Sequence, residues 1–311
     1  MNRFASPRRY RRWMWVFFGF LVLTPLHVYA QQSLPPDYLQ PLLNDLMHGD
    51  AEVFDTAFDR VRERSDRQLY SARDLHFIVI ALTQRAHSTA ELRPQIITLL
   101  GQIGSSESGP VLMEWVRTGS HDERLSALQA LGWIGDSEAV ATIRRLSVSN
   151  DDTQTTLMRD YALKSIAIKE RIRALSGMRN PRPDAWYEIV SETLLEESNW
   201  LVRADIARML ENWNDHRVWA LIFDAQSKWI GPEQYSAQIQ NVLSKRYQYD
   251  SRGFLNILMT RNAADKVFGL EAISESASPD DLPGLMELAE TDPDVLVRER
   301  AARVLGKLLS R

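Results

Sequence analysis

The histidines and nucleophile motifs of the chain form no recognisable catalytic or metal site. The six histidines stand at His27, His48, His76, His87, His121 and His216. No two of them are three or four positions apart, which is the spacing that places two zinc ligands on one helix face. The chain also has no cysteine, Walker loop, GxSxG elbow or dinucleotide glycine pattern. We therefore predict no metal, no cofactor and no catalytic residue.

Adjacent acidic residues occur in three places, and each pair is a candidate acid–base couple. The pairs are Asp151–Asp152, Glu196–Glu197 and Asp280–Asp281. Neighbouring positions on a helix point about 100° apart, so the two carboxylates of a pair do not face one substrate. We interpret these pairs as helix caps or solvated surface.

Aromatic residues are concentrated in one stretch, and three of its tryptophans are candidate anchors for a partner. Eleven aromatic residues lie between Trp186 and Phe254, about 16% of that stretch against 9% of the whole chain. Trp186, Trp200 and Trp229 fall at caps or ends of expected helices, where an exposed indole can bind a partner. Filling of the core is the alternative for each. These three are the candidate partner-binding residues.

The charge balance argues against nucleic-acid binding. The sequence has 37 basic and 41 acidic side chains, and the segment 1–30 holds five arginines and no acid, so 32 basic groups remain against 41 acidic ones. A surface that neutralises phosphates needs an excess of Lys and Arg. One basic stripe on the last expected helix consists of Arg300, Arg303, Lys307 and Arg311. We interpret it as a polar outer face that keeps the last helix soluble. Docking to an anionic membrane or an acidic protein is the alternative.

Residues 1–30 have the order of a secretory signal peptide. Arginines up to Arg12 precede 14 uncharged residues, and Val28 and Ala30 stand at positions −3 and −1 of a cut before Gln31. Fourteen helical residues span about 21 Å, short of the roughly 30 Å core of a bilayer. We predict cleavage after Ala30, a short linker at 31–36 and a periplasmic protein. The alternative, a retained segment, would make the chain a membrane-tethered assembly factor.

The rest of the sequence, 37–311, repeats with a nearly constant period. One apolar position recurs at Leu100, Leu131, Leu163, Leu210, Val242, Ile273 and Leu305. The successive intervals, counted along the chain, are 31, 32, 47, 32, 31 and 32. Eleven positions before each apolar residue stands a Ser, Thr, Asp, Asn or Gly, the residue types that start helices. The long interval places an irregular insertion at about 169–184.

A cation recurs seven positions before the same apolar residues in five of the seven repeats. These cations are Arg93, Arg124, Arg203, Lys266 and Arg298. Two helical turns place each of them on the face that packs against a neighbour. We interpret them as a structural inter-repeat ladder that hydrogen-bonds loop carbonyls or carboxylates of the adjoining repeat.

Three segments resemble HEAT repeats, especially the short type named after phycobilisome lyases. They are Val202–Arg203 with 207–210, Val297–Arg298 with 301–306, and 130–136. The resemblance implies an all-α fold, an α–α superhelix or HEAT-like solenoid of about eight antiparallel helix pairs, used mainly to bind proteins. The resemblance covers 88–311 well, whereas 36–87 shares only the helical periodicity.

The fold that this resemblance implies has one concave face on the order of 75 Å long, if stacked helices lie about 10 Å apart. Such a face suits an extended or helical protein segment better than a small substrate. We therefore predict a non-catalytic protein-binding scaffold in the periplasm. The alternative is an enzyme or enzyme accessory of the HEAT-type lyase kind, which would need a clustered acid or histidine on the concave face.

Overall fold

The computed structural model describes residues 34–66, 69–146, 152–178, 184–213 and 215–311. The predicted signal peptide and the first half of the linker lie outside these ranges. Within them the chain forms 16 α-helices and no strand. None of the described helices has the length and apolar character needed to cross a bilayer.

The helices form eight consecutive antiparallel pairs. The first helices of the pairs are α1 (Gln40–His48), α3 (Ala72–Ser88), α5 (Gly109–Thr118), α7 (Val140–Arg145), α9 (Ala185–Glu196), α11 (Arg217–Ser227), α13 (Ser251–Met259) and α15 (Leu282–Thr291). The second helices are α2 (Ala51–Asp66), α4 (Arg93–Ile103), α6 (His121–Ile134), α8 (Thr153–Ser176), α10 (Trp200–Met209), α12 (Glu233–Tyr247), α14 (Ala263–Ile273) and α16 (Val295–Leu309). The predicted all-α solenoid of about eight helix pairs is confirmed.

Each second helix packs on the second helix of the next pair, in an unbroken series from α2 to α16. We call this series the inner layer and the series of first helices the outer layer. Apolar side chains fill the space between the layers, and the recurring positions Leu100, Leu131, Leu210, Val242 and Ile273 are buried. Burial of this face against neighbouring pairs supplies most of the stability of such an array.

Most helices of the inner layer begin at the residues that the repeat predicts. Ser120, Asp152, Asn199, Asn262 and Asp294 each accept a hydrogen bond from a backbone amide of the first turn.

The two other predicted starts differ, and a proline is present at each. The side chain of Thr89 caps nothing, because a 3-10 turn at 90–92 precedes α4, which has Pro94 in its first turn. Helix α12 starts at Glu233, with Pro232 as its N-cap. The predicted cap, Gly231, is therefore one residue too early. Proline fixes φ near the helical value and lacks the N–H that a first turn leaves unpaired.

The predicted irregular insertion at about 169–184 is helical over its first half. Helix α8 runs for 24 residues and ends only at Ser176, with Gly177 as its C-cap. Residues 169–176 contain good helix formers and no Gly or Pro, so nothing in them ends the helix. Residues 179–183 lie outside the described ranges.

Glu123 closes a capping box at the start of α6. Its carboxylate accepts a hydrogen bond from the Ser120 amide at 2.7 Å, and the Ser120 hydroxyl accepts one from the Glu123 amide at 3.3 Å. The Ser120 amide lowers the pKa of the Glu123 carboxyl below its usual value. Because an unfolded glutamate titrates near pH 4.3, this contribution to stability is complete above about pH 5 and is lost as the pH falls through the folded pKa.

We expect Glu123→Gln to lower the unfolding free energy by about 1 kcal/mol at pH 7. At pH 3 the difference in unfolding free energy between the native chain and the variant should be smaller, because the Glu123 carboxyl is then largely protonated and uncharged like the Gln amide. Urea unfolding at the two pH values measures this. A gap of equal size at both pH values would contradict the role given to the carboxylate.

Candidate binding groove

Side chains of five consecutive inner helices line one cavity of about 400 Å³, which we call the central cavity. They come from α4, α6, α8, α10 and α12 and are Gln102, Gln129, Trp133, Tyr161, Trp200, Leu201, Ala204, Asp205, Arg208, Gln238 and Lys245. Stacked helices lie about 8–10 Å apart, so five of them reach one cavity only if the layer curves around it. The inner layer is therefore the concave face of the solenoid.

A second cavity, of about 580 Å³, continues along the same face toward the amino-terminal end. Asp55, Phe58 and Asp59 of α2 line it, and Gln102 lines both cavities. The two cavities are thus parts of one groove from α2 to α12, which we call the inner groove. Asp55 and the Asp59–Arg62 ion pair lie at its α2 end, and Arg208 and Lys245 lie at its other end.

The floor of the central cavity is a buried polar cluster. The Lys169 ammonium donates to the Asp205 carboxylate at 2.5 Å and to the Gly132 carbonyl at 2.7 Å. The two charged side chains are 7% and 1% exposed. Burial lowers the pKa of Lys169, and the Asp205 carboxylate opposes that shift. The ion pair is therefore held inside the protein beneath the groove.

Tyr161 also lies at this floor and is 1% exposed. Its hydroxyl oxygen is buried, and its polar neighbours are Ser165 and Asp205. Burial raises the pKa of the Tyr161 phenol well above its usual value, so the hydroxyl stays protonated. The ring packs against Gly132 of α6, so the hydroxyl is enclosed beneath the groove.

Arg208 and Trp133 form one wall of the central cavity. The guanidinium lies over the indole ring, 4.7 Å from its centre, and donates to the Asp205 carboxylate at 3.4 Å. The Arg208 side chain is 37% exposed, so its other N–H groups are accessible from the groove. Stacking holds the guanidinium plane in one orientation.

Of the three candidate tryptophans, the structure places Trp200 in the central cavity and the other two elsewhere. Trp186 packs on Trp213 with ring centres 4.1 Å apart, and Trp229 packs on Tyr235 at 4.7 Å. An arginine lies over each of these two stacks, and both tryptophans are partly buried. The three residues do not form one surface.

The sequence analysis missed Trp133, Tyr161, Asp205 and Arg208. A signal was available on α10, because Trp200, Ala204 and Arg208 are four positions apart and so share one helix face. The resemblance to HEAT repeats implies one concave face, and the five inner helices line an open cavity on that face.

The five ladder cations all contact carbonyl or carboxylate oxygens. The contacts are Arg93 to the Ala86 carbonyl at 2.8 Å, Arg124 to Gly119 at 3.3 Å, Arg203 to Ala225 at 3.1 Å, Arg298 to the Asp292 carbonyl at 2.6 Å, and Lys266 to the Asp292 carboxylate at 2.6 Å. Arg203 and Lys266 reach the next pair, and Arg93 also reaches Glu123 of the next pair at 3.4 Å. Arg124 and Arg298 stay within their own pair.

A second set of cations, which the sequence analysis did not single out, caps the carboxyl ends of preceding helices. Lys169 and Arg173 donate to the last carbonyls of α6, at Gly132, Trp133, Ile134 and Gly135. Arg246 donates to the carbonyls of Leu210, Trp213 and Asp215 after α10. Cations are stabilising there because a helix leaves unpaired carbonyls and partial negative charge at that end.

Three cations of the basic stripe on α16 are ion-paired. Arg300 contacts Glu271 at 2.7 Å, and Lys307 and Arg311 both contact Glu275. These acids belong to α14 and the residues just after it, so the stripe attaches the last helix to its neighbour.

A family model matches part of the chain and agrees with this architecture. Residues 79–164, from α3 into α8, match the family model described as HEAT repeats. Residues 79–164 contain HEAT repeats. Among solved structures, human deoxyhypusine hydroxylase in complex with glycerol is similar over 88% of this chain and 96% of that chain, with 18% identity and a TM-score of 0.42. No curated protein matches the chain significantly.

Within the described ranges, no three His, Asp or Glu side chains of this HEAT-repeat solenoid converge as metal ligands do. The inner groove is instead lined by aromatic, amide and charged groups. Its chemistry is that of recognition: indole faces for apolar groups, amides for backbone, and a guanidinium for an anion.

Proposed function

We propose that this HEAT-repeat solenoid is a non-catalytic adaptor that binds an extended or helical segment of a protein partner in the inner groove. The curvature that brings five inner helices to one cavity is the observation that carries this proposal. Trp133 and Trp200 offer apolar surface, and the amides of Gln102, Gln129 and Gln238 can pair with a peptide backbone. Such a mixture is typical of a protein-binding surface.

We also propose that the adaptor works in the periplasm after removal of residues 1–30. The arginine-rich start, the 14 uncharged residues and the small residue Ala30 support export. Expression of the full chain in a Gram-negative host, followed by fractionation and intact-mass measurement, tests it. A mature chain that begins at Gln31 in the periplasmic fraction is expected, and a full-length mass in the membrane fraction would contradict it.

Site-specific photo-cross-linking tests the binding site. p-Benzoylphenylalanine at Gln238, which is exposed in the inner groove on α12, should yield a defined cross-linked protein in the native cells. The same probe at Glu91, exposed in the turn that precedes α4 and outside both cavities of the groove, is the matched control and should yield none. Cross-links from Glu91 alone would contradict the proposal.

Trp200→Ala should weaken the Gln238 cross-link at least tenfold while the melting temperature changes by only a few degrees. The indole is partly buried at the first turn of α10, so its loss removes binding surface more than core. Thermal unfolding and quantitative cross-linking measure the two effects. An unchanged cross-link in a folded variant would exclude Trp200 from the binding surface.

A further inference from the structure

The central cavity carries an excess of positive charge around Arg208. The cations Lys169, Arg208 and Lys245 lie at or directly beneath its surface, against the carboxylates of Asp205 and Glu211. Asp205 is already bound to Lys169 at 2.5 Å, so its charge is largely compensated inside the protein. Lys245 is paired with Glu211 at 3.4 Å, so the charge that remains accessible from the groove is that of Arg208, with its side chain 37% exposed.

The Arg208 guanidinium is a donor that an anionic group in the cavity can use. Arg208 is stacked on Trp133 and uses one N–H on Asp205, which leaves other N–H groups of its planar fork able to bind. A planar guanidinium held in place binds a carboxylate through two parallel hydrogen bonds.

We propose that the central cavity binds the side-chain carboxylate of a Glu or Asp on the partner segment, with an adjacent apolar side chain packed on Trp133 and Trp200. This inference rests on the proposed adaptor function and specifies the residue that the groove selects. A side chain fits better than a chain terminus, because the groove continues past Gln102 toward α2, so the partner runs along it. At that end Asp59 is paired with Arg62 at 2.8 Å, and the Asp55 carboxylate disfavours an acid there and so helps to set the register.

Defined peptides test the inference on the full chain. Isothermal titration calorimetry compares acetyl-Ala-Gln-Ala-Leu-Glu-Leu-Ala-Gln-Ala-amide with the same peptide carrying Gln in place of the central Glu. A third peptide has the central Gln and a free carboxyl terminus. We expect the Glu peptide to bind about tenfold more tightly than either other peptide, the effect of one charge-assisted hydrogen-bonded pair.

Variants identify the group responsible. Arg208→Gln should abolish the preference for Glu, and Arg208→Lys, which keeps the charge without the planar fork, should retain only part of it. Arg217→Gln is the matched control, because Arg217 also stacks on an indole, at Trp186, is 34% exposed and lies outside the central cavity. Its preference for the Glu peptide should equal that of the native chain.

Each other outcome overturns the inference. Equal affinity for the Glu and Gln peptides would show that the carboxylate does not contribute to binding in the groove. The proposed adaptor function would not be affected by that result. Preference for the free terminus would assign the cavity to a chain end. No binding of any peptide at millimolar concentration would also refute the carboxylate site, and the cross-linking at Gln238 would then decide the adaptor proposal independently.

Discussion

Replacement of Lys169 with methionine should lower the unfolding free energy by about 3–5 kcal/mol, the usual cost of leaving a buried charge unpaired. The variant would leave the Asp205 carboxylate, 1% exposed, with only the more distant Arg208 as a cationic partner. It would also remove the donor to the Gly132 and Trp133 carbonyls at the end of α6. Both losses weaken the contacts that join α6, α8 and α10.

Urea unfolding of the native chain and the variant measures this effect. Lys164→Met is the matched control on the same helix, because Lys164 is 38% exposed and pairs with Asp160 and Glu197 near the surface. Its cost should be at most about 1 kcal/mol. Equal costs for the two variants would contradict the view that the buried ion pair fixes the stacking.

Arg246→Met should lower the unfolding free energy by about 3 kcal/mol, since several hydrogen bonds to a charged group are lost at once. The guanidinium is buried, donates to the Leu210, Trp213 and Asp215 carbonyls and lies over the Trp219 ring at 4.8 Å. Removal would leave the carboxyl end of α10 without these donors. The inner layer should therefore loosen between α10 and α12.

Hydrogen exchange locates the Arg246 effect, and urea unfolding measures its size. Faster exchange is expected in 200–213 and 233–247, with little change at α2. Arg246→Lys keeps a positive charge but has a single ammonium group in place of the planar guanidinium, so it should lower the unfolding free energy less than Arg246→Met does. A cost of Arg246→Met below about 0.5 kcal/mol would show that the carbonyls are satisfied by other groups.

The sequence predicts the array well because each pair contacts only its neighbours. The spacing of Leu100, Leu131 and Leu210 places the inner helices, and Ser120 and Asn262 mark where helices begin, since caps are local hydrogen bonds. The starts of α4 and α12 are the exceptions, because prolines there override the cap residue.

The resemblance to HEAT repeats implies a concave face, but the degree of its curvature and the residues that line its groove could not be predicted in the same way. Curvature depends on a small rotation between successive pairs, which accumulates over the array and leaves no local mark in the sequence. Trp133 and Trp200, which belong to different helix pairs, therefore meet at one cavity only through the shape of the whole layer. Trp186 and Trp229 stand at equally promising helix ends but pack against aromatic neighbours.

The cations that cap helix ends were missed for a different reason. Lys169 bonds a carbonyl 37 residues earlier, and Arg246 one 36 residues earlier, so each contact spans slightly more than one repeat. The search for residues at equal positions of the repeat finds Arg93 and Arg203 but not these. The sequence signal for such a contact is a cation near the end of an inner helix that lies slightly more than one repeat after the carboxyl end of the preceding inner helix.

The proposed binding site depends on the curvature of the inner layer, which a distance across the groove measures. The chain has no cysteine, so spin labels on Gln102→Cys and Lys245→Cys report one distance by double electron–electron resonance. Both positions line the central cavity, and the expected separation is well below the roughly 40 Å that four straight helix spacings of about 10 Å would give. We expect a narrow distribution centred well below about 40 Å. A separation of about 40 Å would show that the inner layer does not curve around the central cavity.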